Sequence, residues 1–222
     1  MLTKSRAIIL FAIALANAAV LLSAPRAGAS VIVAVNADGP TVSAPGYVAY
    51  TPDTSTTNVS WAPSTGTSSN STSNVINLTA VTDGAPQAVF QTARNGYSNG
   101  TLTYTVTGLS AGTTYGVNMD FAEIWYSSAG SREFDAAING TAVLTNFDIF
   151  AAAGGKFIGI TKSFSTVANT QGDIVISLTR GIKDFPQING FQIVSTPEPA
   201  SLGLLVVGSI GALLLKRHHW RV

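Results

Sequence analysis

No cysteine occurs in the 222 residues, and the only two histidines, His218 and His219, lie at the far C-terminal end. Without cysteine there is no disulfide framework, so any core must carry its own stability. Without His or Cys in the body of the chain, Ser-His-Asp and Cys-His catalysis and the usual zinc sites are excluded there. Only carboxylate chemistry remains readily available, and neither a metal site nor a cofactor is expected. Charge is also sparse, with Asp, Glu, Lys and Arg making up 10% of residues. Six of the 12 basic residues (Lys4, Arg6, Arg26, Lys216, Arg217 and Arg221) fall in the terminal segments. The stretch from Val31 to Ser195 keeps Arg94, Arg132, Lys156, Lys162, Arg180 and Lys183 against ten acids, a net charge near −4. A nucleic-acid-binding domain needs the opposite sign and a basic stripe, so that class is excluded.

What is present at the two ends is distinctive. Residues 1–29 open with Lys4 and Arg6, run apolar from Ala7 to Leu22, and reach the small-residue site Ala27-Gly28-Ala29 after Pro25. That is the layout of a secretory signal peptide cleaved after Ala29 by signal peptidase, the alternative being an uncleaved anchor. At the other end, Ala200 to Leu215 is apolar apart from two serines and is followed by Lys216, Arg217 and Arg221. As a helix it would cover roughly 24 Å, slightly short of a bilayer core of about 30 Å, with its charge on the side expected of a cytoplasmic tail. Residues 200–215 are therefore expected to span the membrane, and His218 and His219 to be solvated.

Pro197-Glu198-Pro199, the short apolar span and the basic terminus resemble, in that order, the PEP-CTERM sorting signal of bacterial envelope proteins. The resemblance implies that residues 196–222 are removed by the membrane protease exosortase. The protein would then be exported, transiently membrane-anchored, and released to the cell surface or extracellular matrix of an exopolysaccharide-producing bacterium.

Between these ends, residues 30–195 suffice for one domain. Short alternating runs recur: Val31–Val35, Leu102/Tyr104/Val106, Val117/Met119/Phe121 and Ile174/Ile176/Leu178. Turn residues bound them at Gly108 to Gly112, Asn139-Gly140, Gly154-Gly155 and Gly172-Asp173, and no long 3.6-residue period appears. The expected fold is an all-β antiparallel sandwich of jelly-roll type. The Ser-rich stretch from Pro63 to Asn74 reads as a flexible loop. Phe147, Phe150, Phe157 and Phe164 read as core.

One short stretch, "DFAEIWYSSAG", breaks the strand pattern. Alternation ends at Ile124, and Trp125 and Tyr126 then stand side by side at a loop entrance. Neighbouring residues of a strand face opposite ways, so a strand could not present both rings to one side. At a loop mouth both can turn to one ligand. Each offers a flat apolar face and a polar edge, which suits the C–H face and hydroxyl rim of a sugar. Alternatively, Trp125 caps the core and Tyr126 is merely exposed. Glu123, Arg132 and Asp135 are expected to form a network pinning the following hairpin, and Asp148 to bond turn amides.

From Val31 to Val194 the chain is similar to malectin and malectin-like domains, which are carbohydrate-binding β-sandwiches. The resemblance is carried by Phe90-Gln91-Thr92, Gly112 to Tyr115, Phe121-Ala122-Glu123, Trp125-Tyr126, Arg132 to Asp135, Asn139-Gly140 and Asn146 to Ile149. Val35 to Pro40 looks like the start of these domains, with Asp38 in place of a glycine. The resemblance implies that Trp125 and Tyr126 stack on sugar and that Asp184 accepts its hydroxyls. Two tyrosines of the family's site are unmatched: one position falls at Asn95 with Tyr97 close by, the other in the Ser-rich loop, where Trp61 is the nearest aromatic. The expected function is binding of glucose-containing or exopolysaccharide glycans without catalysis. The rivals are a glycoside hydrolase using two of Glu123, Glu133, Asp135 and Asp184, and a structural matrix protein with a degenerate site.

Overall fold

The computed structural model describes residues 29–43, 48–63, 66–96 and 100–196. The expected signal peptide apart from Ala29, the Pro197-Glu198-Pro199 motif and the expected membrane span 200–215 lie outside the described residues, as does Tyr97. Ser30–Thr196 form one compact unit.

The expected all-β architecture is present, in three sheets. The largest runs β2 (Thr51–Pro52), β1 (Val31–Asn36), β14 (Gly190–Ser195), β8 (Thr114–Ala122), β11 (Ile158–Val167), β5 (Asn77–Ala80). A five-stranded sheet follows the order β10 (Thr141–Phe147), β9 (Glu133–Ile138), β12 (Ile174–Lys183), β7 (Thr101–Val106), β3 (Val59–Ala62). The third is small: β13 (Gln187–Ile188), β6 (Thr92–Gly96), β4 (Thr67–Ser71). Most pairings within the sheets are antiparallel; β1 with β2 and β11 with β5 are parallel.

Side-chain alternation explains how the two large sheets stack. Leu102, Tyr104 and Val106 of β7 are buried and their neighbours half-exposed, and β12 does the same with Ile174, Ile176 and Leu178. From the larger sheet, Val117, Met119 and Phe121 of β8 and Phe191 and Ile193 of β14 join them in one cluster. Aromatic pairs bridge the layers: Tyr104 meets Phe191 at 5.1 Å and Phe121 meets Phe134 at 5.9 Å, both tilted. Each such side chain, fully buried, contributes about 1.5–3 kcal/mol of apolar transfer. Of the four phenylalanines expected in the core, Phe147 is there, whereas Phe150, Phe157 and Phe164 are half-exposed. The last two lie against the edges of the two clusters rather than inside them.

At its outer end β8 stops alternating, because both faces are covered. Asp120, Phe121, Ala122, Glu123 and Ile124 are all buried. A second cluster, including Ala34, Ala122 and Ile124, packs under Val89 and Phe90 of the short helix α1 (Gln87–Phe90). A second one-turn helix, α2 (Ile149–Ala153), starts at Asp148, whose side chain accepts from the Ala151 amide at 3.1 Å. Asp148 also accepts from the Gly130 amide, so it caps and tethers backbone as expected.

The Ser-rich stretch departs from its expected loop character. Thr67–Ser71 is a strand, paired antiparallel with β6 from Thr67↔Gly96 to Ser71↔Thr92. Its cohesion comes from backbone bonds to β6 rather than from an apolar face. The small sheet is fixed to β8 by two buried amides. Gln187 Nε2 donates to the Ala122 carbonyl at 2.7 Å, and the Ala122 amide donates to Asn189 Oδ1 at 2.7 Å. Asn189 Nδ2 then reaches the Phe90 and Thr92 carbonyls at 3.1 and 2.7 Å.

Candidate functional site

Three pieces of chain meet at one end of the sandwich: the loop from Glu123 to Arg132, the Asp184–Pro186 link between β12 and β13, and the outer face of the small sheet. They form an open depression of about 130 Å³, continuous with solvent, lined by Ser68, Asn70, Asn95, Trp125, Tyr126, Arg132, Asp184 and Phe185. Four of the five residues singled out in the sequence for sugar binding, Asn95, Trp125, Tyr126 and Asp184, line it together. Tyr97, the fifth, is outside the described residues. Trp61 lies elsewhere, its ring stacked 3.9 Å from the guanidinium carbon of Arg94. Asn95 and Arg94 are neighbours on β6, so their side chains leave opposite faces of the small sheet.

Trp125 is 63% exposed, so it is not a core cap. Its position is set from below by Glu123, which is 1% exposed. Glu123 Oε1 accepts from the amides of Trp125 and Tyr126 at 2.9 and 3.0 Å, while Oε2 accepts from Arg132 Nε at 2.8 Å. Lys156 Nζ donates to the Trp125 carbonyl at 2.8 Å, holding the loop from outside. The two amides are thereby satisfied without strand pairing, which lets consecutive rings turn into one depression.

Arg132 is the hub. Its Nη1 lies 2.9 Å from Asp184 Oδ2, donates to the Phe185 carbonyl at 2.7 Å, and reaches Asn95 Oδ1 at 3.4 Å. The guanidinium carbon also sits 5.3 Å from the Tyr126 ring centroid. One buried cation therefore orients the acid, the amide and one of the rings. Asp184 is held in the left-handed region with φ 52°, a conformation Asp tolerates better than most residues. Partial burial and the neighbouring Asp184 carboxylate raise the Tyr126 phenol above its usual value, so it stays a neutral hydroxyl. Asp135, expected in the Glu123–Arg132 network, stands apart. It accepts from the Asn146 amide at 2.7 Å and braces the β9–β10 hairpin instead.

Sequence reasoning missed Ser68 and Asn70, hidden in a stretch with no apolar alternation, and Phe185. Arg132 was seen, but only as a hairpin residue. Among the described residues, no three His, Cys, Asp or Glu side chains gather in a way that could hold a metal ion. No described helix is long and apolar enough to cross a membrane.

A family profile described as the malectin domain matches residues 31–197. The chain belongs to the malectin family. Among solved structures it is similar to the ANX2 ectodomain of Arabidopsis thaliana, with TM-score 0.66 and 19% identity over 78% of this chain and 53% of that one. The ANXUR1 extracellular domain of the same plant gives TM-score 0.64 and 18% identity, covering 77% of this chain and 51% of that one. A complex of the plant peptide RALF23 with FER and LLG2 gives 0.60 and 18%, covering 75% and 48%. This chain thus spans about half the length of the plant chains it matches, and the likeness is one of fold. No curated protein matches. The fold expectation holds: this is a malectin-type β-sandwich, in a family of binding modules.

Proposed function

We propose that this protein is an exported bacterial envelope or matrix protein whose malectin domain binds carbohydrate without catalysis. A single observation carries the binding reading: a largely exposed Trp125 beside Tyr126, facing a polar wall of Asp184, Asn95, Ser68 and Asn70 across one open depression. Rings supply a stacking surface for the C–H face of a hexose. Asp184 and the polar side chains of the small sheet supply acceptors and donors for its hydroxyls.

Catalysis fits the same geometry poorly. A hydrolase needs a carboxylic acid that can give a proton to the leaving oxygen. Glu123 is buried and every partner of its two oxygens is a donor, so it serves the loop rather than a ligand. Asp135 braces the hairpin on β9. That leaves Asp184 without a second carboxylate lining the depression.

Delivery is read from the ends of the chain: a signal peptide before residue 30, and the PEP motif, apolar span and basic terminus after residue 195. The binding reading is tested by a glycan array followed by calorimetry, over dissociation constants of about micromolar to millimolar. Neutral hexose-containing glycans are expected to bind and to release no reducing sugar. Absence of binding to any glycan, or steady release of sugar, rejects the reading.

A further inference from the structure

A guanidinium carries five N–H donors and no acceptor, and in a buried arginine each donor needs a partner or water. Arg132 is 3% exposed, and two of its three side-chain nitrogens are engaged. Nε donates to Glu123 Oε2 at 2.8 Å. Nη1 lies 2.9 Å from Asp184 Oδ2, donates to the Phe185 carbonyl at 2.7 Å and reaches Asn95 Oδ1 at 3.4 Å. Nη2 forms no hydrogen bond among the described residues. It is not sealed in either, because the buried side-chain polar atom left without a partner among the described residues is Gln187 Oε1. Nη2 therefore keeps contact with solvent, and the solvent that Arg132 meets is that of the depression it lines.

Asp184 is open in the complementary sense. A carboxylate offers about four acceptor sites. Asp184 has Arg132 Nη1 on Oδ2 and the Tyr126 hydroxyl close by, and its side chain is 23% exposed, so acceptor sites remain. The spare donor and the spare acceptor belong to one ion pair, since Nη2 shares its carbon with the Nη1 that touches Asp184. They are thus held within the span of one sugar ring. Neither can change role: a guanidinium only donates and a carboxylate only accepts. Charge narrows the partner further. Arg132 is shared between two carboxylates, Glu123 and Asp184, so the trio has no spare positive charge for a ligand acid. What Nη2 can meet is a neutral oxygen.

Resting on the sugar-binding reading above, we infer that Arg132 is itself a ligand-contacting residue. Its Nη2 donates to one hydroxyl oxygen of a neutral hexose stacked on Trp125, and the Asp184 carboxylate accepts from the adjacent hydroxyl. The site thereby selects a hexose unit with two free adjacent hydroxyls, one used as acceptor and the other as donor.

Calorimetry on the purified full chain starts from the methyl glycosides of glucose, galactose and mannose. The tightest binder of the three is then compared with its monodeoxy and monodeoxyfluoro analogues, carbon by carbon. Two adjacent carbons should stand out, deoxygenation at either weakening binding about tenfold or more, the scale of a hydrogen bond to a charged group. Fluorine accepts weakly and cannot donate, so it should restore part of the loss at the Arg132 carbon and none at the Asp184 carbon. In Asp184→Asn, whose amide can also donate, fluorine should become tolerated at the second carbon. Arg132→Lys, its fold checked by a melting curve, should erase the deoxygenation penalty at the first carbon and keep it at the second. A residue that merely positions Asp184 would instead weaken both. If that variant does not fold, the wild-type series decides alone. Penalties at a single carbon, at non-adjacent carbons, or at two carbons that reject fluorine alike overturn the inference and leave the sugar site standing. The inference also falls if a glycan array is positive while none of the three glycosides binds, since one hexose is then not the recognised unit. If array and glycosides are both blank down to millimolar affinity, the sugar-site reading itself fails.

Discussion

Trp125 and Glu123 are two residues apart and act in opposite ways on the same site. Trp125 is 63% exposed, so Trp125→Ala removes a surface and leaves no cavity. Its melting temperature should barely change, whereas a buried aromatic cut to Ala would cost about 3–5 kcal/mol. Sugar binding should fall beyond detection by calorimetry, and a protein that melts much lower yet still binds would contradict the platform. Glu123→Ala is the converse case. It strips Arg132 of a buried partner and leaves two loop amides without their acceptor, so a loss of about 3–5 kcal/mol is expected in urea unfolding. A change below about 1 kcal/mol would mean that the pair is dispensable. Asp184→Asn should weaken binding less than Trp125→Ala, because an amide oxygen still accepts but lacks the charge that strengthens the bond. The aromatic pair was legible because strand alternation visibly ends at Ile124. Arg132 was not legible as a hub, since its partners Asn95, Glu123 and Asp184 are scattered along the chain and meet only through the fold.

Among elements, those with an apolar face could be read and those without one could not. β7 and β12 alternate so regularly that their buried residues are the ones expected. Asn139-Gly140 forms the β9–β10 turn with φ of 49° and 77°, the pair of positive values such a two-residue turn needs. Asp38 has φ 58°, in the left-handed region, and its carboxylate pairs with Arg94 at 2.8 Å. By contrast β4 has no hydrophobic signal, and α1 and α2, of four and five residues, are too short to show a helical period.

A buried acid on β8 was equally invisible in the sequence. Asp120 is 0% exposed and faces Asp83 across two shared hydroxyls, Tyr50 at 3.2 Å and Thr161 at 3.0 Å. Burial, and then the Asp83 charge, hold the Asp120 carboxyl well above its ordinary range. The folded chain therefore keeps this proton to higher pH than the unfolded chain, where the group titrates near 3.9. Asp120's contribution is whole below about pH 4 and is lost as pH rises through the raised folded value. Asp120→Asn keeps a neutral polar side chain in that place. Its stability relative to wild type should thus rise with pH above about 4, measured by urea unfolding at several pH values. A difference independent of pH would show that Asp120 is not protonated in the fold.

At the scale of the whole molecule, the question is where the folding unit ends. Its two limits are clasped together: the Ser30 amide donates to Ser195 Oγ at 2.9 Å, and the Ser195 amide donates to the Ser30 carbonyl at 2.8 Å. The reason lies in the topology, because β14, the last strand among the described residues, is inserted between β1 and β8 rather than added at an edge. It brings Phe191 and Ile193 to the core and pairs from Val31↔Val194 on one side to Ser195↔Tyr115 on the other. A fragment of residues 30–195 should therefore fold alone, with a β-type circular dichroism spectrum and one cooperative urea transition. Reducing agent should not shift that transition, since there is no cysteine to reduce. A fragment of residues 30–188 removes only a short terminal piece, yet it takes out a central strand and leaves β1 and β8 with open edges and a gap in the core. It should show no cooperative transition. Cooperative unfolding of the shorter fragment would mean that β14 is an accessory strand, and helical or featureless spectra from the longer one would place the boundary of the folding unit elsewhere.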